Sequence, residues 1–253
     1  MNKTRYLILT ISILIFMMAC SLGQAVANVR EQIADVAPGS GNVVEENRPI
    51  EGFSSIDLAG LGDVQIQFGD REALSIEAED NIIGLIETQN RGSTLVIGIA
   101  EDVNILPTEP IRIYVTAVDL ESISVSGAGS VNVDEIFSES FEVVIEGLGS
   151  TDIGELKTEN LTVSLEGSGG ITIDRGEALN QSVVIEGLGN YDGGGLESGT
   201  ADVEISGAGN ATVWATDRLE VTISGLGNVN YYGDPSVSLN REGLGNINSL
   251  GNK

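Results

Sequence analysis

Glu146, Glu166 and Glu186 stand immediately before three successive Gly-x-Gly triplets, 20 residues apart. If the repeats stack in register, their carboxylates rise at the ~4.8 Å spacing of neighbouring strands. Two unit charges that close repel by about 0.8 kcal/mol in bulk water, and by several times that when partly shielded from it. Either flexible side chains splay apart and salt screens the remainder, or a divalent cation bridges the column. Ca2+ suits such a column because its oxygen coordination is flexible. Asn190, Asn210, Asn228 and Asn246 form a second series, each three residues after a first glycine. Stacked amides can hydrogen-bond up and down a column, and Asn tolerates left-handed turn geometry. The series reads as a structural ladder, with ligand contact as its other use. Cys20 is the only cysteine, so it reads as an acylation site and not as half of an intrachain disulfide.

Other chemistries find less support. Histidine is absent, which removes the commonest general base and a common zinc ligand. Phosphate-binding glycine loops lead into a helix, whereas strand-forming residues follow these triplets. The calcium-binding β-roll repeats every ~9 residues with a fixed Asp. Here an acid follows the turn only as Asp63, Asp152 and Asp192. A carbohydrate-active β-helix enzyme would need a carboxylate pair drawn from the surface acids. Such enzymes also use basic clusters and aromatic platforms, but Trp214 is the only tryptophan and Arg112, Arg175 and Arg218 share no repeat position.

The elements that position these residues are repeats. The triplets are Gly60/Gly62, Gly127/Gly129, Gly147/Gly149, Gly167/Gly169, Gly187/Gly189, Gly207/Gly209, Gly225/Gly227 and Gly243/Gly245. From Gly127 the spacing is 20 residues as far as Gly207 and 18 thereafter. Four and two residues before the first glycine stand Ile123/Val125, Val143/Ile145, Val163/Leu165, Val183/Ile185, Val203/Ile205 and Val221/Ile223. A period of two puts both on one strand face, and the Ser, Glu, Thr or Asp between them on a wet one. Each repeat therefore predicts strand, glycine corner, strand and a looser return, with both glycines of every triplet as turn residues. Glycine suits the corner because it accepts φ > 0 and permits close approach of stacked backbones. A fixed period near 20 residues is the signature of a solenoid, in which each repeat buries its apolar face only against its neighbours. Arg241 breaks the last copy where an inward Ile or Leu belongs, a polar end that guards the edge against pairing.

Composition agrees. Hydrophobic residues make up 41% and aromatics only 4%, with 33 glycines, which suits a narrow core of Val, Ile and Leu. Twelve Lys+Arg against 38 Asp+Glu give a formal net charge of −26, which argues against a nucleic-acid partner. Lys3 and Arg5 precede an apolar run, Tyr6 to Ala19, that reads as an export signal over residues 1–19. Met17-Met18-Ala19-Cys20 looks like a lipobox, with Met17 where Leu is usual, and would lipidate Cys20. Ala25-Val26-Ala27 offers ordinary signal peptidase an alternative site. Residues 20–38 read as a tether, 39–120 as irregular β opening rungs or a cap, and 121–253 as the regular repeats. Val64-Gln65-Ile66-Gln67-Phe68, Leu74–Ala78, Thr94–Ile99 and Ile111–Val115 are strands of the irregular part; Ile82 to Glu87 is a short strand or a helical turn.

Phe53, Ile56, Gly60-Leu61-Gly62-Asp63-Val64, Leu95 and the downstream Gly-x-Gly-Asn repeats resemble the GIN domain family over roughly residues 40–250. Those proteins are exported from bacteria, often as lipoproteins, and are named for an autotransporter adhesin head. The resemblance implies a β-solenoid-like fold and brings no catalytic or binding residues to carry over. The expectation is an all-β, right-handed parallel β-solenoid with 18–20 residues per rung, right-handed because parallel crossovers are. Its expected role is a non-catalytic binding, adhesion or structural module of the cell envelope, held to the membrane through Cys20. Its partner would be a surface protein or a glycan, with no cofactor other than Ca2+ on the carboxylate column. The carbohydrate-active enzyme is the alternative.

Overall fold

The structure is a computed structural model that describes residues 36–253. The export signal, Cys20, both cleavage sites and all but the end of the tether lie outside the described residues. Strand makes up 68% of the fold, a parallel β-solenoid of about six turns.

The opening part contributes β1 (Val36–Pro38), β2 (Val43–Arg48), β3 (Ser55–Leu58), β4 (Leu61–Phe68) and β5 (Ala73–Glu79). A 3-10 turn at Ile83–Leu85 leads into β6 (Ile86–Arg91), β7 (Thr94–Ile99), β8 (Asn104–Leu106) and β9 (Arg112–Ala117). β10 (Ser122–Val125) then begins the regular stack, followed by β11 (Ala128–Ile145), β12 (Ser150–Leu165), β13 (Gly170–Ile185), β14 (Asn190–Ile205) and β15 (Asn210–Ile223). β16 (Asn228–Tyr232), β17 (Ser236–Arg241) and β18 (Ile247–Gly251) close the order.

The opening part is both rung and cap. β3 and β4, on either side of Gly60, pair in parallel with β10 and β11, so Leu61 stacks under Ala128 and Gly62 under Gly129. β7 and β9 pair in parallel with β3 and β4 and form the rung beneath. Below that the direction changes: β6 runs antiparallel to β7, β5 to β9, and β2 to β5. These hairpins cover an edge that a parallel stack would leave unpaired. Arg48 fastens the cover by donating to the carbonyls of Ile83 and Ile86.

In the regular stack the return is not loose. Each rung from β11 to β14 is one strand of 16 to 18 residues, interrupted only at the glycine corner. Pairing between β11 and β12 skips Asp134/Gly154 and Glu139/Glu159, where the chain bends without leaving the ladder. The core is a set of columns, such as Val143, Val163, Val183, Val203 and Val221, or Ile145, Leu165, Ile185, Ile205 and Ile223, all fully buried. Each such side chain contributes about 1.5–3 kcal/mol of burial. At the far end Arg241 pairs in register with Ile223, but it is exposed and its guanidinium donates to the Gly245 carbonyl.

The change of period leaves a mark. A 20-residue rung must stack on an 18-residue one between β14 and β15. β14 takes three more residues than β15 between Gly193 and Glu197, and one fewer between Ser198 and Thr200. The excess two residues are accommodated as a bulge at Gly194-Gly195, which pair with neither neighbouring rung.

Candidate functional site

The glycine corner is the most regular surface of the molecule. The bend falls on its first glycine, at Gly60, Gly127, Gly147, Gly167, Gly187, Gly207, Gly225 and Gly243. A Cβ built on Gly167, Gly187 or Gly207 would lie 2.0 Å from the carbonyl oxygen of the first glycine one rung below. Real side chains never approach so closely, and close approach is what the corner demands. Left-handed geometry is not the reason, because Gly62 alone of the triplet glycines has a positive φ, at 143°.

The second glycines stand on the far side of the corner from the first. Gly62 and Gly129 already lie within β4 and β11. Gly149, Gly169, Gly189, Gly209 and Gly227 lie past the bend, each directly before the first residue of β12, β13, β14, β15 or β16. Gly245 likewise follows the bend at Gly243 and Leu244. Their requirement for glycine is steric, and it comes from two directions. A Cβ on Gly149, Gly169, Gly189, Gly209, Gly227 or Gly245 would run into the carbonyl oxygen of the second glycine one rung below. It would also meet an inward branched side chain of that rung: Val125, Ile145, Leu165, Ile185, Ile205 or Ile223 in turn. The second glycine thus lets the wall close over the core column.

The middle residue of each triplet donates its N–H to the first glycine below, as Leu188 does to Gly167 at 3.0 Å. Its side chain is then turned outward. Leu148, Leu188, Leu226 and Leu244 are 73, 66, 63 and 82% exposed. With Ser168 and Ala208 between them and Ala128 before Leu148, they form a single-file ridge along the stack, apolar except at Ser168.

Two columns flank this ridge. On one side Glu146, Glu166 and Glu186 are exposed, in consecutive rungs paired in register through Ile145, Leu165 and Ile185. Among the described residues no group of three or more His, Cys, Asp or Glu draws together closely enough to hold a metal ion. On the other side the asparagines form a ladder. The Nδ2 of Asn210 donates to Oδ1 of Asn190 at 2.9 Å, that of Asn228 to Asn210 at 3.0 Å, and that of Asn246 to Asn228 at 3.3 Å. Each receiving oxygen also accepts the backbone N–H of the asparagine above.

Sequence reasoning missed a second polar column at another bend. Asn180 donates to Asn160 at 3.0 Å, and Thr200 donates to Asn180 at 2.8 Å. The 20-residue spacing of Asn160 and Asn180 was the available signal. It also missed a polar group inside the core. The Tyr191 hydroxyl donates to Gln181 Oε1 at 3.1 Å, while Gln181 Nε2 donates to Ser198 Oγ, which donates to the Trp214 carbonyl at 2.7 Å. Burial holds the Tyr191 phenol well above its ordinary acidity range. Ala201 and Ala211, next in the columns of Gln181 and Tyr191, make room for the larger side chains.

A catalytic reading would draw on a broad groove lined by Asp119, Glu121, Glu139, Glu142 and the exposed Phe137. Lys157 covers the Phe137 ring, 5.4 Å from its centroid. Where the surroundings change a carboxyl's acidity, they strengthen it. Lys157 and Arg175 hold Glu155 below the ordinary value. The hydroxyls of Thr108 and Ser40 do the same for Glu79 and Asp80.

Comparison with known proteins adds a family and a fold. Residues 52–235 match the family described as "Putative auto-transporter adhesin, head GIN domain". No curated protein matches the chain. Among solved structures, a "putative adhesin" from Bacteroides fragilis NCTC 9343 is 25% identical with a TM-score of 0.80, covering 84% of this chain and 99% of that one. A "putative lipid binding protein" from Parabacteroides distasonis ATCC 8503 is 21% identical with a TM-score of 0.69, covering 85 and 99%. A "putative adhesin" from Parabacteroides merdae ATCC 43184 is 20% identical with a TM-score of 0.67, at the same coverage.

Proposed function

The chain belongs to the GIN domain family, and from that premise we propose that it is an exported cell-envelope module that binds a surface partner without catalysis. The observation that carries the reading is the leucine ridge. Large apolar side chains, most of whose surface meets water, line up on a protein of net charge −26. Exposed apolar side chains gathered in one file and rimmed by polar columns mark an interaction site, and a rigid stack presents them without backbone ordering cost on binding. The partner is a surface protein or a glycan with an apolar face.

The test is an array of extracellular proteins and glycans probed with the purified protein. A Leu148→Ser, Leu188→Ser, Leu226→Ser, Leu244→Ser variant should fold and lose the captured partner. Retained binding in that variant removes the ridge from the account. Cys20 would anchor the module, since a multiply acylated cysteine holds a protein stably where one chain does so marginally. Cys20→Ser should release the protein into soluble fractions, and a mature N-terminus at Asn28 contradicts the anchor.

A further inference from the structure

We propose that the notch formed by Trp214, Tyr232 and the Gly194 carbonyl is a binding site for a primary ammonium group, the side chain of a lysine. The structure already holds such a group there. Lys253 Nζ lies 4.5 Å from the Tyr232 ring centroid and 5.6 Å from that of Trp214, and donates to Gly194 O at 2.6 Å. Aromatic faces attract cations at these distances through the ring quadrupole.

The wall bulge makes the notch. Gly194 and Gly195 pair with neither the rung below nor the rung above, so the Gly194 carbonyl is released from the sheet ladder. Its N–H is taken by Asp192 Oδ1 at 3.1 Å, and its carbonyl accepts from the Lys253 ammonium. A Cβ on Gly194 would come within 3.3 Å of the Tyr232 ring and 3.1 Å of Thr212, so glycine lets the ring lie flush against the bulge. Tyr232 and the chain's one tryptophan are both half-buried. Among the described residues Lys253 makes no salt bridge, in a chain with 38 acids to choose from. Two rings and a carbonyl recognise the shape and the N–H of an ammonium, where a carboxylate would recognise only its charge. The carbonyl demands an N–H donor, so a primary ammonium fits better than a quaternary one.

Lys253 is thus an occupant in cis, and a lysine presented by a partner protein competes for the same place. Tethering raises the local concentration of the cis occupant to the order of millimolar. This site shares no residue with the leucine ridge, and its failure would leave that reading untouched.

Trp214 gives a single indole resonance, which reports the site directly. N-acetyl-lysine methylamide is titrated into Lys253→Ala and, should that variant fold poorly, Lys253→Met, which keeps the apolar stem. The expected result is a saturable shift of the Trp214 indole, with at least ten times more probe needed for the unsubstituted protein. The norleucine analogue should give none, and tetramethylammonium a weaker response. No saturation in either variant, equal saturation by norleucine, or equal affinity in the unsubstituted protein overturns the proposal.

Discussion

At the scale of single residues, the corner glycines differ from glycines elsewhere in the chain. Gly187→Ala would drive a methyl group to 2.0 Å from the Gly167 oxygen and 2.4 Å from that of Glu166. Neither atom can move without opening the ladder, so the substitution should cost about 3 kcal/mol in a denaturant midpoint. Gly84 has no atom within 4 Å of its would-be Cβ and no positive φ, and Gly84→Ala should change stability by less than about 0.5 kcal/mol. Thr151 makes the opposite point. It stacks between Val131 and Ile171, and its buried hydroxyl has no hydrogen-bond partner among the described residues. Thr151→Val should stabilise the fold by about 1 kcal/mol, measured in the same way. The positions of the glycines could be read from the sequence. Their physical reason could not, since a close approach between rungs exists only once the rungs are stacked. For the same reason the steric demand at Gly209 and Gly227 could not be read: the side chains of Ile185 and Ile205 that exclude a Cβ there belong to the rung below.

At the scale of elements, the rungs could be read wherever one straight stretch alternates, as in Val143 and Ile145 or Ile171 and Ile173. The returns could not, because each bend reverses the alternation: Gly154 and Glu155 are both half-buried, and Glu159 and Asn160 both exposed. The pattern then looks like loop although the ladder is unbroken. Rung and cap could not be told apart for another reason. Apart from the Gly60 triplet the sequence before Gly127 has no repeat, so nothing local distinguishes the parallel strands β7 and β9 from the antiparallel β2, β5 and β6. The cap should also respond to pH. Glu79 accepts from the Thr108 hydroxyl and from the N–H groups of Thr108 and Gly41. These bonds outweigh the burial that acts against its charge and hold its carboxyl below the ordinary 4.5. A depressed folded-state value means that the unfolded chain takes up the proton first as pH falls. The stabilisation is therefore complete above the ordinary value and is lost as pH drops through the lowered one. Protection of the Gly41 and Thr108 amides, measured relative to their intrinsic exchange rates, should fall as pH drops below the ordinary 4.5, with Val183 still protected. In Glu79→Gln those two amides should lose this dependence, and unchanged acid sensitivity there would place its cause outside Glu79.

At the scale of the whole molecule, strong acidity and a regular apolar ridge stand side by side. The Glu146, Glu166 and Glu186 column is exposed. Splayed and screened carboxylates need no bridging ion. Thermal unfolding at matched ionic strength, with and without about 1 mM Ca2+, should therefore shift equally in the parent and in Glu166→Gln. A calcium-specific rise confined to the parent would establish a bridging cation. The central claim is that this solenoid binds through its glycine corner. Hydroxyl-radical footprinting of the protein, alone and with its captured partner, tests it most directly. Protection of Leu148, Leu188, Leu226 and Leu244, with Phe137 still reactive, is the predicted result. Protection of Phe137 and its groove, with the four leucines as reactive as in the free protein, would contradict it.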